Sequence, residues 1–267
     1  MELQLDTDVT VHVEVRGNGP ALVLLPGVMM SGRFFHEQLD GALPDSFTVV
    51  APDYRGHGQS EKVHSGHTVA GYARDVRSLL IALQIERPVL VGWSMGAMVA
   101  WEYAKEFGSD SIAGLVVVDQ PPSDFAWDGY PFGLMTLAGL ADNVEALQGD
   151  QRAVAQEFAQ LMQHVPDDSR TAWIVEEILK VPASIASTIL TDQTLRDYRE
   201  VLGTITCPTL VAFGADPKMT DPAAGSFIIE RTLGAELVVF DESSHMPFLE
   251  EPAEFDRVLS EWASRLS

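Results

Sequence analysis

Pro88-Val89-Leu90-Val91-Gly92-Trp93-Ser94-Met95-Gly96 is the stretch on which the reading of the whole chain turns. Its uninterrupted apolar run suits a strand covered on both faces. Residues 95–107 behind it carry helical spacing, with Met98, Val99 and Ala100 packed tightly. A serine caught between such a strand and such a helix must sit on a sharp, strained turn. Small residues two before and two after it let neighbouring backbone approach, and the hydroxyl is left at the helix's positive end. G-x-S-x-G alone is a common chance match; this strand-to-helix setting is what makes Ser94 a candidate nucleophile.

The rest of the chain supplies the frame. At roughly 150 residues per domain, 267 residues suit one large α/β domain with an insertion as well as two domains. The 46% hydrophobic and 21% charged content excludes a disordered chain or a coiled coil. Lys and Arg number 17 against 39 Asp and Glu, and a formal charge of −22 would repel a phosphate backbone, so neither nucleic acid nor an anionic membrane is expected as partner. Cys207, the one cysteine, excludes an internal disulfide framework and fits a reducing compartment. The first twenty residues lack a basic start followed by an apolar run, and no long apolar stretch occurs, so a cytoplasmic protein is expected. No oligomeric state is encoded in any pattern here.

Val9, Val11, Val13 and Val15 alternate with polar residues up to Gly17-Asn18-Gly19-Pro20, as in a half-buried strand entering a turn. Continuous apolar runs follow at residues 21–25, 47–51, 88–91, 112–118, 209–213 and 236–240, with helical patterns at 69–83, 95–107 and 252–266. Glu250, Glu251 and Glu254 fall at the positive end of the last helix. Strands alternating with helices call for a mainly parallel sheet covered on both faces. One interval is too long, with roughly 85 residues between the strand ending at Asp119 and the next one near Thr209. Within it Val154, Phe158, Leu161 and Met162 share a helical face. Asp168-Ser169 is expected to cap a helix carrying Trp173, Ile174, Ile178 and Leu179, and Thr191-Asp192 another. The expected division is therefore a core of residues 1–120 and 204–267 and a helical cap, 121–203, over the C-terminal edge of the sheet.

Ser94 needs a base, and the histidines are His12, His36, His57, His64, His67, His164 and His245. His245 follows the last apolar run in Phe240-Asp241-Glu242-Ser243-Ser244-His245, at the same sheet edge as Ser94, and is the expected general base. The expectation is that its imidazole meets the hydroxyl within proton-transfer reach. His57, in a glycine-rich loop, reads as structural, and His64 and His67 lack the helix and carboxylates of a metal site, so no metal is expected. The amide of Val28, after Pro26-Gly27, and that of Met95 would hold an oxyanion, each such donor contributing on the order of 10² to 10³ in rate. Asp53 and Arg55 read as a loop-fixing pair and Trp93 as packing. Phe34, Phe35, Phe125, Trp127 and Met135 are expected to line an apolar pocket under the cap.

The runs LLPG…SG at 24–32, PDYRGHGQS at 52–60, GWSMG at 92–96 and SSHMPFLEEP at 243–252 resemble the α/β-hydrolase superfamily, most nearly its small esterases and cofactor-free haloperoxidases. The resemblance spans both halves of the core and leaves the cap unaligned. It implies an eight-stranded, mainly parallel sheet with a helical cap between the sixth and seventh strands, a Ser-His-Asp triad, and neither metal nor organic cofactor. The acid is left open. Many members carry it three residues beyond the glycine after the seventh strand, where Gly214-Ala215-Asp216-Pro217 places the aspartate one residue early. The alternative is Asp119, at the tip of the preceding strand, where some hydrolases, dehalogenases and cofactor-free dioxygenases of this fold carry theirs. The function implied is hydrolysis of a small carboxylic ester, lactone or related acyl compound through an acyl-enzyme, with perhydrolase or haloperoxidase chemistry as a side activity. A hydroxyquinolone-type dioxygenase working through a His–Asp dyad is the alternative, although Met95 stands where those enzymes carry a histidine. A non-catalytic binding module would retain the pocket without turnover.

Overall fold

In the computed structural model, which describes residues 1–266, the apolar runs become neighbours in one sheet; Ser267, counted in the expected core, lies outside the described residues. The strands are β1 (Glu2–Gln4), β2 (Thr10–Arg16), β3 (Ala21–Leu25), β4 (Thr48–Pro52), β5 (Val89–Trp93), β6 (Gly114–Val118), β7 (Thr209–Gly214) and β8 (Glu236–Phe240), in spatial order β1-β2-β4-β3-β5-β6-β7-β8. The first two pairings, β1 with β2 and β2 with β4, are antiparallel, and the other five are parallel. Helices α1 (His36–Asp40), α2 (Val69–Ala82) and α3 (Met95–Phe107) belong to the first half. The long interval holds α4 (Leu137–Gly149), α5 (Gln151–Leu161), α6 (Asp168–Ile178) and α7 (Ala183–Thr194), and α8 (Ala223–Ile229), α9 (Pro247–Glu250) and α10 (Pro252–Ala263) complete the chain.

Burial explains the runs. Every residue of β5, β6 and β7 is buried, and branched side chains such as Val116 and Val117 are covered on both faces of the sheet, each contributing roughly 1.5–3 kcal/mol of apolar burial. At the edge β8 is only partly buried, and the three-residue β1 is too short to carry a periodic signal. Helix α2 starts where Thr68 accepts a hydrogen bond from Gly71 N–H, and α3 packs on β3, β5 and β6.

Two of the expected caps move. The α6 cap is Asp167, whose carboxylate accepts the Arg170 amide at 2.7 Å, one residue before the Asp168-Ser169 expectation. Thr191 and Asp192 start no helix of their own: they lie inside α7, where the Thr191 hydroxyl donates back to Ser187 O and Asp192 instead accepts the first amide of α2, Val69 N–H, at 2.9 Å. Helix α4 stands outside the individually expected helices, although Leu137, Leu140, Val144 and Leu147 recur at helical spacing.

The turn after β5 requires glycine for space. A Cβ on Gly96 would fall 2.0 Å from Leu25 O, and one on Gly92 2.4 Å from Ala97 N, so β5, the turn and the end of β3 approach only because neither residue has a side chain. Gly149, at the end of α4, has nothing within 4 Å of its Cβ position. Gly96→Ala should therefore be recovered unfolded or strongly destabilised in urea denaturation, while Gly149→Ala should unfold with unchanged or slightly raised stability, by up to about 1 kcal/mol.

Candidate active site

Ser94 joins β5 to α3 with φ 53° and ψ −127°, a sparsely populated conformation that costs on the order of 1–3 kcal/mol and persists only when its surroundings enforce it. They do so here: the Ser94 amide donates to Val118 O at 3.0 Å, tying the turn to the tip of β6. Gly27, on the loop after β3, lies so close that a Cβ there would be 3.2 Å from the Ser94 Cβ. On that loop the Met29 amide donates to His57 Nε2 at 3.2 Å and the Met30 amide to Gly27 O at 3.2 Å, whereas the Val28 and Met95 amides have no acceptor among the described residues.

His245 is 2% exposed, and its Nδ1–H donates to Asp119 Oδ1 at 2.9 Å. The partner is an acceptor only, so the tautomer is fixed and Nε2 is left as the basic nitrogen. Asp119 in turn receives the Gly214 amide on Oδ2 at 3.0 Å and the Thr220 hydroxyl on Oδ1. Its backbone, at φ 49°, is held by Asp119 N–H donating to Ala212 O at 2.8 Å. Asp216 is elsewhere. Its carboxylate accepts His164 Nδ1 at 2.9 Å and Lys218 Nζ at 3.1 Å, so the one-residue displacement in the sequence takes it out of reach of His245.

Buried His245 Nε2 has no hydrogen-bond partner among the described residues, Ser94 Oγ included, so the expected contact between them is not made and among those residues the ring is hydrogen-bonded from its Nδ1 side alone. Both residues line one cavity of about 390 Å³. Its walls come from Val28 and Met29, from the 134–135 segment, from Asn143 and Leu147 of α4, Val154, Phe158 and Leu161 of α5, Leu190 and Gln193 of α7, and Lys218 and Met219. Of the aromatic residues expected there, Phe34 and Phe35 are instead buried against Trp93 in the core, and Phe125 packs on Trp127, whose indole donates to Ser123 Oγ; of that set only Met135 lines the cavity. Large aromatics gain most where burial is complete, and apart from Phe158 the cavity wall is formed by aliphatic and polar side chains.

Glu250, Glu251 and Trp93 fasten the loop bearing His245. Glu250 accepts the amides of Ser244 (2.9 Å) and His164 (2.6 Å), and Glu251 accepts the Ser243 hydroxyl at 2.6 Å and the Glu242 amide at 3.1 Å. The Trp93 indole donates to His245 O at 2.8 Å, and His245 N–H to Met162 O, just after α5, at 3.2 Å. Trp93 is therefore more than packing. Asp53 and Arg55 are not a pair: Asp53 accepts the Gly32 and Gln59 amides, while Arg55 Nε bonds Asp75 at 2.6 Å. Burial raises the Asp53 pKa against those two hydrogen bonds. His67 Nε2 bonds Val63 O, and among the described residues no group of His, Cys, Asp and Glu side chains is arranged to hold a metal ion. Nor, among the same residues, is any helix long and apolar enough to cross a membrane.

Comparison with known proteins adds the lineage. Residues 22–258 match the Alpha/beta hydrolase family. The AB hydrolase superfamily protein YisY of Bacillus subtilis is 28% identical over 98% of both chains. The pimeloyl-[acyl-carrier protein] methyl ester esterase of Neisseria meningitidis is 31% identical over 84% of this chain and 86% of its own. Among solved structures, the esterase EaEST from Exiguobacterium antarcticum superposes with a TM-score of 0.93 at 24% identity, covering 99% of each chain, a likeness of fold.

His57 holds the loop after β3 only while neutral, its Nδ1–H donating to Arg55 O at 3.1 Å and its Nε2 accepting Met29 N–H. Burial pushes its pKa down from 6.5 to about 3. The unfolded chain therefore binds this proton first as pH falls, so the associated stability is fully present above about pH 6.5 and is lost between there and about pH 3. Urea denaturation should show the wild type losing about 1.4 kcal/mol more than His57→Gln between pH 7.5 and pH 5.5.

Proposed function

Because the chain belongs to the alpha/beta hydrolase family, we propose that it is a serine hydrolase that cleaves a small carboxylic ester, lactone or related acyl compound, with Ser94, His245 and Asp119 as its triad. The observation that carries this reading is the buried Asp119–His245 hydrogen bond, which leaves Nε2 bare beside the cavity that Ser94 also lines. The esterases among the similar proteins support the reaction class, and the cavity of about 390 Å³ suits a small substrate. Residues 121–203 act as the cap that closes over it.

The substrate carbonyl enters with its oxygen toward the free amides of Val28 and Met95. Ser94 Oγ forms a bond to the carbonyl carbon as its proton passes to His245 Nε2, and the carbonyl π electrons move onto oxygen, where the two N–H groups meet the charge. No hydrogen bond joins Ser94 and His245 before substrate arrives; it forms in the complex, as such bonds commonly tighten there. The imidazolium then gives its proton to the leaving alkoxide oxygen as the acyl–oxygen bond breaks. Water repeats the sequence on the acyl-enzyme, losing a proton to Nε2 and releasing the acid and free serine. Asp119 keeps the tautomer and stabilises the imidazolium throughout. A His–Asp dyad working on oxygen chemistry would leave Ser94 without a nucleophilic role, so labelling separates the two readings.

A fluorophosphonate should label the wild type and leave Ser94→Ala untouched, detected by intact mass; an active protein with unlabelled Ser94 would overturn the reading. Asp119→Asn should lower kcat on p-nitrophenyl esters by about 10⁴, through loss of the imidazole's orientation, whereas Asp216→Asn should stay within a few-fold of wild type.

A further inference from the structure

Part of the cavity wall is neither apolar nor part of the proposed triad. Gln120, Asp124 and Gln193 line it together with Ser94 and His245. Asp124, on the segment that follows β6, is 6% exposed. Its Oδ1 accepts Gln120 Nε2 at 2.7 Å and its Oδ2 accepts Gln193 Nε2 at 2.6 Å. Gln120 Nε2 also donates to Pro121 O at 2.8 Å, fixing Asp124 to the strand tip that carries Asp119.

These contacts decide which way the second amide faces. A carboxylate accepts and an NH₂ group donates, so Gln193 must turn Nε2 to Asp124 and leave Oε1 over. Gln193 is 4% exposed, and its Oε1 is buried with no hydrogen-bond partner among the described residues. A network built only to tie α7 to the segment after β6 would satisfy its own acceptor, because an unpaired buried carbonyl is costly. Here the unsatisfied atom belongs to a cavity-lining side chain.

We propose that Gln193 Oε1, backed by Asp124, is a specificity subsite that accepts a hydrogen bond from an uncharged donor, a hydroxyl or an amide N–H, on the acyl substrate. The proposal rests on the hydrolase reading above and names the kind of substrate that the cavity selects. An anionic group is repelled at this wall by the Asp124 carboxylate. An ammonium would have to shed its water where Leu147, Val154, Phe158 and Leu161 line the wall, with Glu157 the one carboxylate that α5 adds there. Burial raises the Asp124 pKa, against the two glutamine hydrogen bonds. A neutral donor completes Oε1 without moving charge, and a site built to receive one discriminates strongly against a substrate that lacks it.

The test is kcat/KM on matched esters that differ only in the donor: ethyl N-acetyl-β-alaninate against its N-methyl analogue, ethyl 3-hydroxybutyrate against ethyl 3-methoxybutyrate, and 2-hydroxyethyl against 2-methoxyethyl butyrate, with ethyl β-alaninate as the cationic member. Wild type should favour the donor in at least one pair by about tenfold or more, and Gln193→Met should bring that ratio to within about twofold. Asp124→Asn, of the same shape, should lower the same ratio and serves if Gln193→Met does not fold. No preference in any pair, a preference for ethyl β-alaninate over every neutral donor, or variants that lose both members of a pair equally would overturn the subsite. Fluorophosphonate labelling of wild type is read alongside: unlabelled Ser94 counts against the hydrolase reading, and labelled Ser94 without donor preference counts against the subsite alone.

Discussion

A single buried hydrogen bond, from His245 Nδ1 to Asp119 Oδ1, is the constraint around which this end of the sheet is organised. A carboxylate 1% exposed cannot remain charged without partners, and Asp119 gathers them from three further segments of chain: the end of β7 through Gly214, the following loop through Thr220, and the histidine loop. Removing any one of them would leave a buried charge short of a donor. The same demand explains the backbone. Of the six non-glycine residues with positive φ among the described residues, Met29, Ser94 and Asp119 all stand at this edge, each on a different loop. Strain of this kind is held where surrounding contacts over-determine the conformation.

The histidine loop transmits the constraint to residues 121–203, the proposed cap. Glu250 accepts one amide from the loop, Ser244, and one from the cap, His164, while His245 N–H reaches Met162 O at the end of α5. Lys218 joins the same seam through Gln163 O, His164 O and Asp216. The imidazole is therefore positioned by the core through Asp119 and Trp93 and by the cap through main-chain contacts. Any movement of α5 must break or carry these hydrogen bonds, so α5 and the His245 loop are mechanically linked.

What the sequence revealed follows the range of the forces involved. The strand, turn and helix around Ser94 are set by residues adjacent in the chain, and the glycines that permit the turn are visible as letters. So are the buried runs of β3 to β7. The choice between Asp119 and Asp216 is different in kind: both are short acids at strand ends, and the decision depends on where His245 comes to rest, 126 residues beyond Asp119. Asp216 is instead occupied by His164 and Lys218, neighbours no spacing rule suggests. The cavity wall was equally hidden. Aromatic residues signal burial, and burial took Phe34 and Phe35 into the core, whereas the wall is formed by the sides of α4, α5 and α7 that face it once those helices have packed.

Charge narrows what this cavity will accept. The chain carries a formal charge of −22, and the cavity adds Asp124 and Glu157 to its wall against one cation, Lys218. That lysine is already spent on two carbonyls and the Asp216 carboxylate, so little of its field is free for a substrate. A carboxylate-bearing substrate would approach through a negative field and meet a negative wall, losing on encounter as well as in the bound state. In the proposed hydrolysis a neutral ester or lactone meets neither barrier, and it becomes charged only at the oxygen turned toward the Val28 and Met95 amides. On that reading the electrostatics favour substrates whose negative charge appears during the reaction, where two amide donors are free, over those that bring it with them.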